Sequence, residues 1–406
     1  MRNPILISLA FLCVAAPLAI AQEEAGSADV KAILAEANSA LQAKDYNKAY
    51  ELASKVADAN PKQAGARFIA GAAALNLRQV EAADKYLREA WTLKPDMPWL
   101  ALWMGQLAML EGDGAVREGK DDKALEYYNE AVGYFDTESK NRPGNAGPLT
   151  NKAQALSKAN RLPESIAAYE ELIKLNPASP DAYLAAAEVY IQGGQTDKAL
   201  EMVKRVPVTD KAVAARAVSK WGDALFQQGL MDVVVPVMEY AHQLDPSYTM
   251  PCGKLVAAYL QLGHPPEAWD RLTEFLGHNP PAEEQIPVGD AALSFLRRRG
   301  NPLEAMPPDE NAIVLPWLDN LARPKVPAAA RQSRVDAAVP VLVQVGADGK
   351  IVSAQVIPTS SGTSNEELGL NAAALDTVNR SRFKPGKKNG KAAAFPVGVM
   401  VEFKPS

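Results

Sequence analysis

A spacing of 34 residues that recurs along its first two thirds is what most constrains this chain. Turn-forming pairs ending in proline stand at Asn60-Pro61, Lys94-Pro95, Asn176-Pro177, Asp245-Pro246 and Asn279-Pro280, and the intervals 61 to 95, 143 to 177 and 246 to 280 are each 34 residues. A small or β-branched residue keeps the same time at Ala49, Ala83, Ala124, Ser165, Ala199, Val234 and Ala268, with steps of 34, 41, 41, 34, 35 and 34. A unit this short cannot bury an apolar face alone, so its copies must stack on one another. Seven units account for residues 28–281.

Within a unit the spacing is helical. In YLAAAEVYIQGGQTDKALEMVKRV, Leu184, Ala187, Tyr190 and Ile191 recur at helical intervals, Gly193-Gly194 interrupts, and Ala199, Leu200, Val203 and Val206 resume the pattern. Ahead of it, Ser179-Pro180-Asp181 offers an N-cap, a first-turn proline and a carboxylate that complements the helix dipole. Each unit is therefore a helical hairpin. Gly71, Gly105 and Gly222 recur at one first-helix position, and Tyr190 and Tyr259 stand three residues after that position in their own units. This pattern resembles the tetratricopeptide repeat, which implies an α-helical solenoid of about seven hairpins.

Both 41-residue steps read as 34 plus seven and fall in the third unit. One insertion, EGDGAVREGKDD at 111–122, is expected between the two helices, with Gly112-Asp113-Gly114 as a turn; the other, at 132–143, is expected to extend the second helix or its exit loop. The resemblance implies a groove lined by first helices that takes peptides or partner helices. Phe68, Trp99, Trp103 and Tyr183 are the aromatic candidates for it, although aromatics at helical spacing also serve as core. A clamp for a C-terminal carboxylate is not expected, since Leu34 and Asn38 hold the positions that would carry it.

Residues 1–21 read as a secretory signal: Arg2, an apolar run from Ile5, and Ala19-Ile20-Ala21 before Gln22. Export to the periplasm follows, with an uncleaved inner-membrane anchor as the alternative. Cleavage would leave Cys252 as the sole cysteine and exclude an internal disulfide. A composition 48% hydrophobic and 22% charged excludes both disorder and a multi-span membrane protein. Charge is divided unevenly: residues 325–406 carry eleven basic and six acidic side chains, and the body before them is acidic. No basic run with interleaved aromatics marks a nucleic-acid groove.

Residues 282–324 read as a capping helix and a linker rich in proline. Beyond them, VPVLVQVGADGKIVSAQVI alternates on both sides of Ala347-Asp348-Gly349, as a β-hairpin does. Asn365 is expected to cap a helix carrying Leu368, Ala372, Leu375 and Val378, and Phe395, Val397, Val399, Val401 and Phe403 form a last strand. The resulting β-β-α-β order describes a small α+β domain over 325–406. With Pro327, Arg331, Gly349, Ser360-Ser361-Gly362, Leu370, Ala373-Ala374-Leu375, Phe383, Pro385, Gly390, Pro396 and Phe403, it resembles the C-terminal domain of TonB-type energy transducers. Val326, Ala337, Asn371 and Ser381 depart from that pattern. The resemblance implies capture of an extended segment of an outer-membrane transporter along the backbone edge of the strand from Phe395 to Phe403.

Enzyme chemistry finds no constellation. His242, His264 and His278 are too far apart for a helical metal motif and are expected at the surface or in turns. Cys252 has no histidine close by in sequence, and phosphate-binding loops are absent. No cofactor, metal or small-molecule substrate is expected. Two functions fit: a periplasmic scaffold that binds proteins or peptides through both modules, and an energy transducer held in the inner membrane. The second needs a membrane helix with a functional histidine, and residues 5–21 contain none.

Overall fold

The computed structural model describes residues 28–302 and 312–404, so the signal segment and part of the proline-rich stretch lie outside the described residues. The chain packs as two compact units that meet in sequence at Pro207 and Val208.

The first unit holds five helical hairpins. They are α1 (Ala28–Gln42) with α2 (Tyr46–Ala59), α3 (Ala64–Asn76) with α4 (Val80–Leu93), α5 (Leu100–Arg117) with α6 (Asp121–Asn141), α7 (Ala146–Lys158) with α8 (Leu162–Leu175), and α9 (Pro180–Gln192) with α10 (Thr196–Lys204). The recurring small residues Ala49, Ala83, Ala124, Ser165 and Ala199 are all buried, which is why the position excludes bulk. Ser165 is tolerated because its hydroxyl donates to the Ala153 carbonyl at 2.7 Å. At Gly71 an added Cβ would lie 2.6 Å from Leu87 Cγ, so the glycine sets how closely α3 approaches α4.

The third hairpin corrects the expected placement of the first insertion. Residues 111–117 continue α5, and the turn falls only at 118–120. Gly112 and Gly114 are helical, and Gly112 serves packing: a Cβ there would lie 2.5 Å from the Tyr128 ring. The second insertion lengthens α6 to Asn141. Seven residues are nearly two helical turns, so both helices grow without rotating their facing sides apart. The added turns are held by Tyr128 donating to Asp113 at 2.7 Å and by Arg88 reaching Glu111 at 3.2 Å and Glu130 at 3.0 Å.

The second unit begins with two more hairpins, α11 (Lys211–Gln227) with α12 (Met231–Leu244) and α13 (Thr249–Leu262) with α14 (Pro265–Gly277). α15 (Ala282–Arg299) follows, with Pro281 at its N-cap and Gly300 at its C-cap. The segment expected as a linker also builds structure. β1 (Ile313–Val314) pairs with β6 (Gly386–Lys388), which pairs with β7 (Lys391–Ala393), and β2 (Trp317–Asn320) pairs with β5 (Arg382–Lys384). After the short α16 (Ala328–Gln332) comes the main sheet, β3 (Ala337–Val345), β4 (Ile351–Val356) and β8 (Phe395–Phe403), in the antiparallel order β4-β3-β8.

Between β4 and β5 lie α17 (Gly362–Glu367) and α18 (Leu370–Asn379), two helices where one was expected. Gly369 at φ 72 separates them. Asn365 is accordingly inside α17, buried and bonded to Ser361, and does not cap the longer helix. One face of the sheet buries Val339, Val341, Val343, Val397, Val399, Val401 and Phe403 with Leu370, Ala374 and Val378 of α18.

The opposite face rests on the last helices. Leu342, Met400 and Phe395 join Trp269, Phe275, Val288 and Leu296 in one buried cluster. Gly398 is required here, because a Cβ would lie 2.6 Å from the Trp269 ring. Asp290 of α15 accepts from the Ser360 amide at 3.0 Å, adding a polar tie. Among the described residues, no helix is long and apolar enough to cross a membrane.

Candidate functional site

Antiparallel pairing makes the backbone of β8 face two ways. Register runs from Ala337 opposite Phe403 to Val345 opposite Phe395, so Met400 faces Pro340. Pro340 has no N–H, and its carbonyl accepts from Ile357 on the β4 side at 2.9 Å. Met400 therefore turns its N–H and C=O away from β3. By alternation, Pro396, Gly398 and Glu402 do the same, while Val397, Val399 and Val401 bond to β3.

That outer edge is partly occupied. The Asn301 side chain accepts from the Met400 N–H at 2.6 Å and donates to its C=O at 2.8 Å, as the backbone of another strand would. Pro396 has no N–H to offer. Phe395, Val397, Val399, Val401 and Phe403 are all buried, so their side chains build the domain interior, and only the strand's backbone edge is left for a partner.

At the other end of the strand order, β4 is far more open. Ser353 and Gln355 lie opposite Gln344 and Leu342, whereas Ala354, on the opposite phase, turns its peptide groups outward. Val352 is 69% exposed.

The aromatic candidates for a groove are corrected by their burial. Phe68 is fully buried, and Trp99, Trp103 and Tyr183 are at most 9% exposed. Trp99 is covered by the Arg142 guanidinium, 3.4 Å from its ring centre. Tyr183 donates to the Pro177 carbonyl at 3.1 Å and lies under Arg205. These side chains hold hairpins together.

A polar series missed in the sequence lies on the same first helices. Asn38, Gln106, Gln154 and Glu188 occupy one repeat position, with Ala72 in the second hairpin. Asn38 Oδ1 and Gln106 Oε1 are buried with no hydrogen-bond partner among the described residues. Burial pushes the Glu188 carboxyl up to about 8. Their fixed distance before Ala49, Ala124, Ser165 and Ala199, allowing for the insertion, was the available signal.

The histidines divide. His264 and His278 flank α14 in turns, but His242 is buried, contrary to expectation. It lies against Cys252, whose Sγ is 3.4 Å from His242 Nδ1, so the thiol has a histidine neighbour after all. Cys252 is fully buried and its thiol is pushed up to about 12 by that burial, leaving no thiolate nucleophile at neutral pH.

These features define a class: an array of stacked helical hairpins followed by a small mixed sheet domain with a strand edge. The family described as Gram-negative bacterial TonB protein C-terminal matches residues 322–405, and the tetratricopeptide repeat family matches residues 156–219. The chain thus joins tetratricopeptide repeats to a TonB-type C-terminal domain, families that point to protein–protein interaction and to the Gram-negative envelope. No curated protein sequence matches it. Among solved structures it is similar to MamA MSR-1 (20% identity, 44% of this chain and 95% of that one, TM-score 0.38). It is also similar to the thermophilic tetratricopeptide protein TTC0263 of Thermus thermophilus (15% identity, 48% and 99%, TM-score 0.35). A third similar structure is YrrB, described as a tetratricopeptide protein with an unusual peptide-binding site (16% identity, 59% and 97%, TM-score 0.36).

Proposed function

We propose that this chain is a non-enzymatic periplasmic scaffold. Its repeats bind one protein partner along the first helices, and its sheet domain captures an extended segment of an envelope partner, an outer-membrane transporter being the partner the TonB-type domain suggests. The observation that carries the reading is the position of β8 at the end of the strand order, with alternate peptide groups turned away from β3. Strand addition at such an edge draws affinity from the backbone and needs no catalytic group. Asn301 adds a condition: a captured segment must displace its amide from Met400.

Photo-crosslinking from position 402 in cells, followed by identification of the captured segment, tests the edge. Met400→Pro removes the outward N–H while sparing the β3 ladder and is expected to abolish capture, whereas Asn301→Ala is expected to increase it. Capture unchanged by both substitutions would remove β8 as the docking edge. Recovery of the chain in the soluble periplasmic fraction beginning at Gln22 tests export.

A further inference from the structure

Three side chains distant in sequence meet where α12, α13 and α14 pack together. His242 lies in the last turn of α12, Cys252 in the first turn of α13 and Glu274 in the last turn of α14. Cys252 Sγ is 3.4 Å from His242 Nδ1, and His242 Nε2 is 3.0 Å from Glu274 Oε1. One potential ligand atom from each lies within 4.8 Å of the other two. Cys252 is fully buried, His242 nearly so, and the Glu274 side chain is one-third exposed.

The repeat explains the meeting without explaining the residue types. Residues 22 apart in a hairpin are brought together elsewhere too: Arg67 pairs with Glu89 at 2.7 Å, and Tyr183 lies under Arg205. In the seventh hairpin the same two positions hold Cys252 and Glu274. At the position of His242, the first four hairpins carry Ala57, Trp91, Val132 and Ile173. An apolar residue satisfies the fold there, so the buried imidazole is a departure that packing does not require.

We propose that Cys252, His242 and Glu274 form a binding site for a zinc-class divalent cation. Sulfur, imidazole nitrogen and carboxylate oxygen are a donor set suited to such an ion. Zinc–sulfur and zinc–nitrogen bonds at a tetrahedral angle place the two donors about 3.5 Å apart, close to the separation seen here. The imidazole now touches both neighbours and gives up one of these contacts to the ion. Arg271 holds Glu274 Oε2 at 2.7 Å and is itself held by Glu239 at 2.6 Å, an outer layer that orients the carboxylate and partly balances charge. Tyr259 donates to Glu239 at 2.9 Å and completes that layer. Water on the exposed side of Glu274 supplies the fourth ligand. Binding replaces the thiol proton, which leaves to solvent, so affinity falls as pH falls.

The test uses the full-length chain carrying Cys13→Ser, which leaves Cys252 as its single thiol. After chelator treatment, titration with Co²⁺ should produce a thiolate-to-cobalt charge-transfer band that saturates at one equivalent and disappears on adding Zn²⁺. Glu274→Gln, at a partly exposed position, should keep the far-ultraviolet circular dichroism and weaken Co²⁺ binding about tenfold or more. Absence of the band in the Cys13→Ser chain would overturn the proposal, as would undiminished affinity in Glu274→Gln. Because the single-thiol spectrum is itself decisive, the result does not depend on whether a Cys252 variant folds.

Discussion

β4 and β8 flank the same central strand, yet one is open and the other is enclosed. β4 leaves Val352 in solvent and Ala354 with outward peptide groups. β8 packs α18 beneath one face and Trp269 against the other, and Asn301 covers part of its edge. A strand at the end of a sheet is thus not necessarily an exposed strand. What differs is the neighbouring helical array: β8 docks on α14 and α15, so the repeats stabilise the strand that the TonB-type resemblance singles out for partner capture.

Four substitutions break or sharpen this contrast. Trp269→Ala should have the largest effect, since removing a large buried side chain costs about 3–5 kcal/mol; urea denaturation followed by tryptophan fluorescence and circular dichroism measures it. An Ala variant that leaves stability unchanged would mean that the helices do not support β8. Val399→Pro comes next, because it deletes a ladder bond to β3 at a fully buried residue and should cost about 3 kcal/mol, whereas Ala354→Pro on β4 should cost clearly less. Equal losses would refute the assignment of which peptide groups face outward. Smallest is Val352→Ala, expected to change stability by no more than about 0.5 kcal/mol, with thermal melting as the readout.

The hairpins are legible in the sequence because their determinants are local and repeated: a small residue where two helices touch and a break between them. Ala49, Ala83 and Ala268 carry that information whatever surrounds them. The third hairpin misleads since Gly112 and Gly114 signal a turn in isolation, and only the Tyr128 ring across the hairpin shows why a glycine belongs within a helix. β1 and β2 stay hidden because two and four residues cannot display alternation, and their partners in β6 and β5 lie more than 60 positions later. His242 and Cys252 look unrelated for a similar reason. A ten-residue separation spanning a turn gives no sign that two side chains will meet, and the polar position shared by Asn38, Gln106 and Glu188 becomes visible only after the insertion is subtracted.

The lengthened third hairpin has a consequence for how such an array can vary. Because an α-helix advances about 100° per residue, seven extra residues return to within about 20° of the starting phase, while five would carry a buried stripe about 140° round, toward solvent. α5 and α6 each received such an increment, and their facing surfaces still meet at Gly112 and Tyr128. Length in this scaffold is therefore added in discrete steps, like teeth on a rack: a hairpin projects further by increments close to whole helical turns, and both arms of the third hairpin took the same step.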